Sequence, residues 1–239
     1  QTLTTPMTDW RDRKWMNLSL LAVIGAVIFC LVLLGNWQLQ RLAWKNNLIT
    51  AIESRASEPA IAAPHRDQWR AINETDHAYQ RVSAEGTYLH QHERIVRALT
   101  ELGSGYWVMT PLVRGNGEII WVNRGFVLPG KRFAADRNEP EKERIKVTGL
   151  LRVSEPKGTL LQTNDPEKNR WYSRDVEAFS RASGLPEPAP FFIDVEFSDE
   201  LREWPRAGLT KLTFRNNHLQ YALTWFAMAL FLAAGTSYL

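Results

Sequence analysis

The chain has 239 residues, 44% hydrophobic and 23% charged, with a formal charge of +3. That mild excess falls short of the concentrated basic stripe a nucleic-acid binder needs. The single cysteine excludes an internal disulfide framework and every paired-thiolate site for zinc, iron–sulfur or copper, and no Walker loop, GxGxxG, HExxH or GxSxG occurs.

Residues 15–40 carry no charge, 26 positions in a row. About 20 apolar residues cross a bilayer core as a helix, so 15–36 is expected as a first transmembrane helix behind a short tail, 1–14. A cleaved leader headed by Arg11, Arg13 and Lys14 is the alternative, but the run is long for one and no A-x-A site follows. Arg41, Lys45 and Arg55 behind the run nearly balance the basic residues ahead of it. The tighter cluster in front favours a cytoplasmic tail and places 37–215 outside. This middle segment opens with a helical run, 37–55. Trp37 and Trp44 lie seven apart on one face of it, with Arg41 between them. That suits the headgroup layer, where Trp is favoured and a guanidinium stacks on an indole.

After a loop at 60–70 come six strand-like segments, 79–89, 93–99, 106–113, 118–128, 144–153 and 191–197, rich in Val, Ile, Tyr, Trp and Thr. Gly115-Asn116-Gly117 is a hairpin signal that pairs 108–113 with 118–127. Asn123-Arg124-Gly125 reads as a turn closing the second strand, and 171–183 as the one convincing later helix. The last 24 residues, 216–239, are again uncharged and read as a second transmembrane helix. The expected fold is two transmembrane helices flanking an α+β, mainly antiparallel extracytoplasmic domain.

A helical hairpin brings 35–38 and 216–218 to one membrane surface, where they form a polar and aromatic collar. On the second helix His218, Tyr221, Ala222, Trp225 and Ala229 share a face. An imidazole at this depth can ligate haem iron, with Tyr221 and Trp225 flanking a porphyrin. The plainer reading is an interfacial His that hydrogen-bonds headgroups or its own domain. His90 and His92 have a chelating spacing but no nameable third ligand, so an exposed polar edge is the plainer reading. Asp194, Glu196, Asp199, Glu200 and Glu203 read as a solvated face, with a partner surface as the alternative. Ala22 with Ala26, and Ala229 with Ala233, are small-xxx-small pairs that allow close helix contact. No nucleophile–base pair can be named, so no enzyme is expected.

The residues resemble the surfeit-locus-one family of cytochrome c oxidase assembly factors. The resemblance rests first on Gly35-x-Trp37-Gln38-x-x-Arg41-Leu42-x-x-Lys45, Arg81-Val82 with Gly86-x-Tyr88, and Gly105-Tyr106-x-Val108-x-Thr110-Pro111-Leu112. It continues through Val122-Asn123-Arg124-Gly125, Asn164-x-Pro166, Trp171 and Asp175 to Asn216-Asn217-His218-Leu219-Gln220-Tyr221-Ala222-x-Thr224-Trp225-Phe226. Phe126 stands where the family usually has Trp, and Ala207-Gly208 where a Gly pair is expected. The resemblance implies an inner-membrane protein with its central domain periplasmic in bacterial members. It implies a part in maturing the oxidase's haem-copper subunit I by binding haem A and helping its insertion.

The family's histidine in the second helix maps onto His218, which becomes the expected iron ligand. Tyr221, Trp225 and Trp37 are then expected to shield the porphyrin, and Arg41 or Arg215 to pair with its propionates. Expected partners are subunit I, membrane lipid and haem A synthase. The alternative is a scaffold that steadies subunit I without touching haem.

Overall fold

The computed structural model describes residues 10–137, 143–156, 162–197, 204–210 and 214–237. It divides into two units, one of Gln1–Thr50 with Thr213–Leu239 and one of Ala51–Leu212.

The first unit is built on two helices, α1 (Trp10–Ser57, which continues into the second unit) and α4 (His218–Thr236). Nothing interrupts α1 at the expected boundary after residue 36. The span and the amphipathic run behind it share good helix formers and no proline, so one helix continues through both. Leu20, Leu21, Val23, Val27 and Phe29 of α1 are apolar and exposed, as are Leu223, Leu230 and Phe231 of α4. A helix that is apolar and exposed around its girth needs an apolar solvent. Both helices are long and apolar enough to cross a membrane. The 19 residues of α4 rise about 28 Å, close to the thickness of a bilayer core. Ala22, Ala26 and Ala233 of the expected alanine pairs are exposed, so they do not join α1 to α4 and remain open to a partner's helices. Gly35 of α1 makes the close contact: a Cβ there would meet the Phe226 ring of α4 at 2.5 Å. Ala222 and Ala229 of α4 are buried.

The second unit carries strands β1 (Ile61–Ala62), β2 (Arg81–Tyr88), β3 (Arg94–Thr100), β4 (Gly103–Arg114), β5 (Ile119–Val127), β6 (Ile145–Val153) and β7 (Phe191–Val195). Two short helices, α2 (Glu74–His77) and α3 (Val176–Ala182), interrupt them. The strand order is β1-β2-β6-β7-β5-β4-β3, and β2 also pairs with β4. β2 uses Arg81 to Gly86 against β6 and Gly86 to Tyr88 against β4. The strands β2, β6, β7, β5 and β4 therefore close into a ring.

The expected, mainly antiparallel sheet is corrected to a mixed one. β1 runs parallel to β2, and β5 runs parallel to β7. β6 lies beyond β7, so the chain returns through α3 and inserts β7 between β6 and β5, antiparallel to the one and parallel to the other. Strand composition reports which residues are buried; it carries no information on which strand lies next to which.

The predicted hairpin is present: β4 and β5 pair antiparallel from Met109↔Asn123 to Val113↔Ile119, around a turn with Gly117 at φ +82°. The Asn123-Arg124-Gly125 turn is absent. The register slips between Val108↔Gly125 and Met109↔Asn123, so Arg124 is the extra residue of a β-bulge within β5. Gly125 has φ +137°, and a Cβ there would lie 2.4 Å from the Arg206 carbonyl. Glycine is required at this position for backbone angle and space together.

The central strands are buried on both faces. Val82, Leu112, Ile120, Val122, Leu151, Phe191 and Ile193 form one core cluster. Val96, Met109, Ile119, Trp121, Trp171, Val176, Phe179 and Phe192 form the other. Period-two alternation sends Ile120 and Trp121, or Ile193 and Phe192, to opposite sides. α3 starts later than expected because Asp175 caps it, accepting from the Ala178 N–H at 3.0 Å. Ahead of it, Asn164 Oδ1 accepts from the N–H groups of Tyr172 and Ser173 at 2.8 and 3.0 Å, holding that stretch as a loop.

Candidate functional site

The start of α4 is tied down by amides. Asn216 Oδ1 accepts from the His218 N–H at 3.4 Å, and its Nδ2 donates to Asn46 Oδ1 on α1 at 2.8 Å. With its amide turned to satisfy both groups, Asn217 accepts from Arg215 Nε at 3.0 Å and Nη2 at 3.3 Å. The bond to the His218 N–H satisfies one of the backbone donors that the first turn of a helix leaves without intrahelical partners.

His218 Nδ1 lies 2.7 Å from Gln38 Oε1 on α1. An amide oxygen only accepts, so Nδ1 carries the proton and donates it. In the neutral ring Nε2 then keeps its lone pair, and it has no hydrogen-bond partner among the described residues. A histidine that binds a metal through one nitrogen typically donates the other N–H to a fixed acceptor, which sets tautomer and ring orientation. Gln38 supplies that acceptor. His218 is half-buried and Trp225, two turns on, is half-buried. Tyr221, one turn on, is 52% exposed, and Trp37, beside Gln38, is 55% exposed.

The other two sequence-selected residues are placed differently. Arg41 lies over the Trp44 ring at 4.1 Å, the cation–π contact the spacing suggests, and Arg215 faces Asn217. Neither guanidinium has a carboxylate partner among the described residues. Residue-level reading missed the role of Gln38, although it stands in the motif that closes the first span. Its signal is an uncharged amide at the polar end of an apolar run, which becomes meaningful once a donor faces it.

The expected acidic face is corrected at Asp194. Asp194 is 2% exposed. It accepts from Asn123 Nδ2 at 2.8 Å and Thr210 Oγ1 at 2.9 Å, and pairs with Arg152 at 3.4 Å and Arg174 at 3.3 Å. Both arginines also hold Glu155. Burial alone would lower the Arg174 pKa, but the Asp194 and Glu155 carboxylates outweigh it and raise the value. Alternation along β7 turns Asp194 inward, and paired guanidiniums make its burial tolerable. Glu196 pairs with Arg81; Asp199, Glu200 and Glu203 lie outside the described residues.

His90 and His92 sit in a single 3-10 turn. His65 lies between Glu118 and Arg114. Among the described residues no three His, Cys, Asp or Glu side chains gather as a metal site.

The model of the SURF1 family matches residues 25–230. Surfeit locus protein 1 of Homo sapiens is 35% identical over 224 aligned positions, covering 86% of this chain and 71% of that protein. The Gallus gallus protein of the same name is 33% identical over 99% of this chain and 77% of its own length. That of Takifugu rubripes is 32% identical over 95% and 94%.

Proposed function

The chain belongs to the SURF1 family, and from that premise we propose that it is a membrane-bound assembly factor of cytochrome c oxidase that holds haem A on its helical pair and helps its insertion into subunit I. The observation that supports this most directly is the His218–Gln38 bond, which fixes the imidazole with one nitrogen open to a ligand. Haem would supply an iron that binds imidazole; His218 Nε2 would hold it, and Gln38 would keep the ring from turning. Tyr221, Trp225 and Trp37 offer aromatic surface to the porphyrin. Arg41 and Arg215, which lack carboxylate partners among the described residues, take the propionates.

Only His218 would bond the iron, which suits a cargo that must leave again. No bond is made or broken within the cargo, and the function is binding and handover. The chain sits in the inner membrane with its central domain periplasmic, and that domain meets subunit I or haem A synthase.

Purified from cells that make haem A, the protein should show a Soret band. A chain that carries no haem yet co-purifies with subunit I is a scaffold, and the carrier reading is then wrong. The placement is tested separately. A reporter active only outside the cytoplasm should work when inserted at Gly115, in the exposed β4–β5 turn, and stay silent when fused ahead of Trp10. The reverse pattern would invert the topology.

A further inference from the structure

Beside β3 the central domain carries a cleft of about 360 Å³, lined by Arg97, Arg132 and Arg170 with the rings of Tyr106 and Tyr172. A second cleft of about 460 Å³ shares Arg97, Tyr106 and Tyr172 and continues past Ser104 and Pro129. The two form one elongated trough. Among the described residues no acidic side chain and no lysine lines it.

The three guanidiniums lie together in this trough without a carboxylate, a condition that Arg55, Arg70, Arg94 and Arg206 elsewhere on the domain share among the described residues. Arg66, Arg81, Arg114, Arg137, Arg144 and Arg181 each hold a carboxylate. Arg97, Arg132 and Arg170 hold none among the described residues. Arg97 instead lies 5.9 Å from the Tyr172 ring centre, and Arg132 5.0 Å from that of Tyr106. Stacking on a ring fixes the plane of a guanidinium while its N–H edges stay available.

We propose that this trough is a docking site for an acidic segment of a partner protein. Arg132 and Arg170 line the first cleft and Arg97 lines both, so positive charge is spread along the trough. That spread suits several carboxylates on an extended chain better than the single phosphate of a lipid headgroup. Arginine in all three places favours bidentate carboxylate recognition over diffuse attraction. The rings between the arginines, with Leu99 81% exposed at the second cleft, receive the apolar side chains that separate the carboxylates. The site lies wholly within 51–212 and is independent of the His218 reading.

The test uses the full chain in non-ionic detergent and a fluorescein-labelled decapeptide alternating Glu and Tyr, read by fluorescence anisotropy. The peptide should bind, and more weakly as salt rises. Its Lys–Tyr counterpart should not bind. The triple variant Arg97→Gln/Arg132→Gln/Arg170→Gln should bind at least tenfold more weakly, with each single variant intermediate. The control Arg66→Gln/Arg144→Gln should match wild type. Unchanged near-UV circular dichroism shows that a variant has folded, and the single variants carry the test if the triple does not. No binding by wild type, or equal binding by the folded variants, overturns the proposal. Binding of dihexanoyl phosphatidylglycerol that depends on these arginines, with none of the peptide, assigns the trough to lipid and overturns it as well.

Discussion

Replacing His218 by Ala should strip most of the haem from the protein purified out of haem A-producing cells. The variant removes the imidazole that Gln38 holds in position. The other four histidines lie between residues 65 and 92, in the second unit. Loss of a coordination bond should weaken binding more than tenfold, which is more than about 1.4 kcal/mol. Burial of the porphyrin face, at about 25 cal/mol per Å², survives the change and leaves residual, non-coordinated binding.

The protein itself should persist, because a half-buried residue at a helix start loses one hydrogen bond worth about 1 kcal/mol. Millimolar imidazole should restore part of the Soret band in His218→Ala, since it replaces the missing ligand and nothing else. Gln38→Leu leaves the ligand and removes its support, and should reduce affinity by about 10-fold to 100-fold. Oxidase maturation should fall in the same order. Full haem occupancy in His218→Ala would show that the ligand assignment is wrong.

Asp194→Ala should be strongly destabilising to the central domain. The carboxylate is 2% exposed and faces two arginines, an amide and a hydroxyl. Removing it leaves Arg152 and Arg174 with Glu155 as their remaining acidic partner. Breaking a buried pair from one side costs about 3–5 kcal/mol when the other charge is left without compensation, and Glu155 places this change at the lower end of that range. For a domain of this size that is about 10 °C of melting temperature.

Tryptophan fluorescence of the full chain in detergent reports the loss, since Trp121 and Trp171 are buried in the domain's core. Asp194→Leu combined with Arg174→Met should be less harmful than Asp194→Leu alone, as it leaves one fewer guanidinium stranded. A cost under about 1 kcal/mol, the value expected of a solvated pair, would mean that water reaches the cluster.

The sequence alone determined the two uncharged spans, the six main strand segments and the β4–β5 hairpin. Each of these is governed by residues close together in the chain: a run without charge, an alternation of period two, a Gly-Asn-Gly between two strands. The face shared by His218, Tyr221 and Trp225 follows from helical spacing for the same reason. Tertiary structure decided what needs distant residues to meet. It put β7 between β6 and β5, which made the sheet mixed. It made Asn123-Arg124-Gly125 a bulge, because β4 continues pairing on both sides of Arg124 and the Arg206 backbone lies against Gly125. It turned Asp194 inward, where β6 and the segment before α3 bring Arg152 and Arg174 to it across 42 and 20 positions of sequence. It also gave Gln38 its role, from a donor 180 residues away. A buried polar group is stable only when its partners are present, and the spacing of residues along one strand or helix cannot report partners that arrive from another.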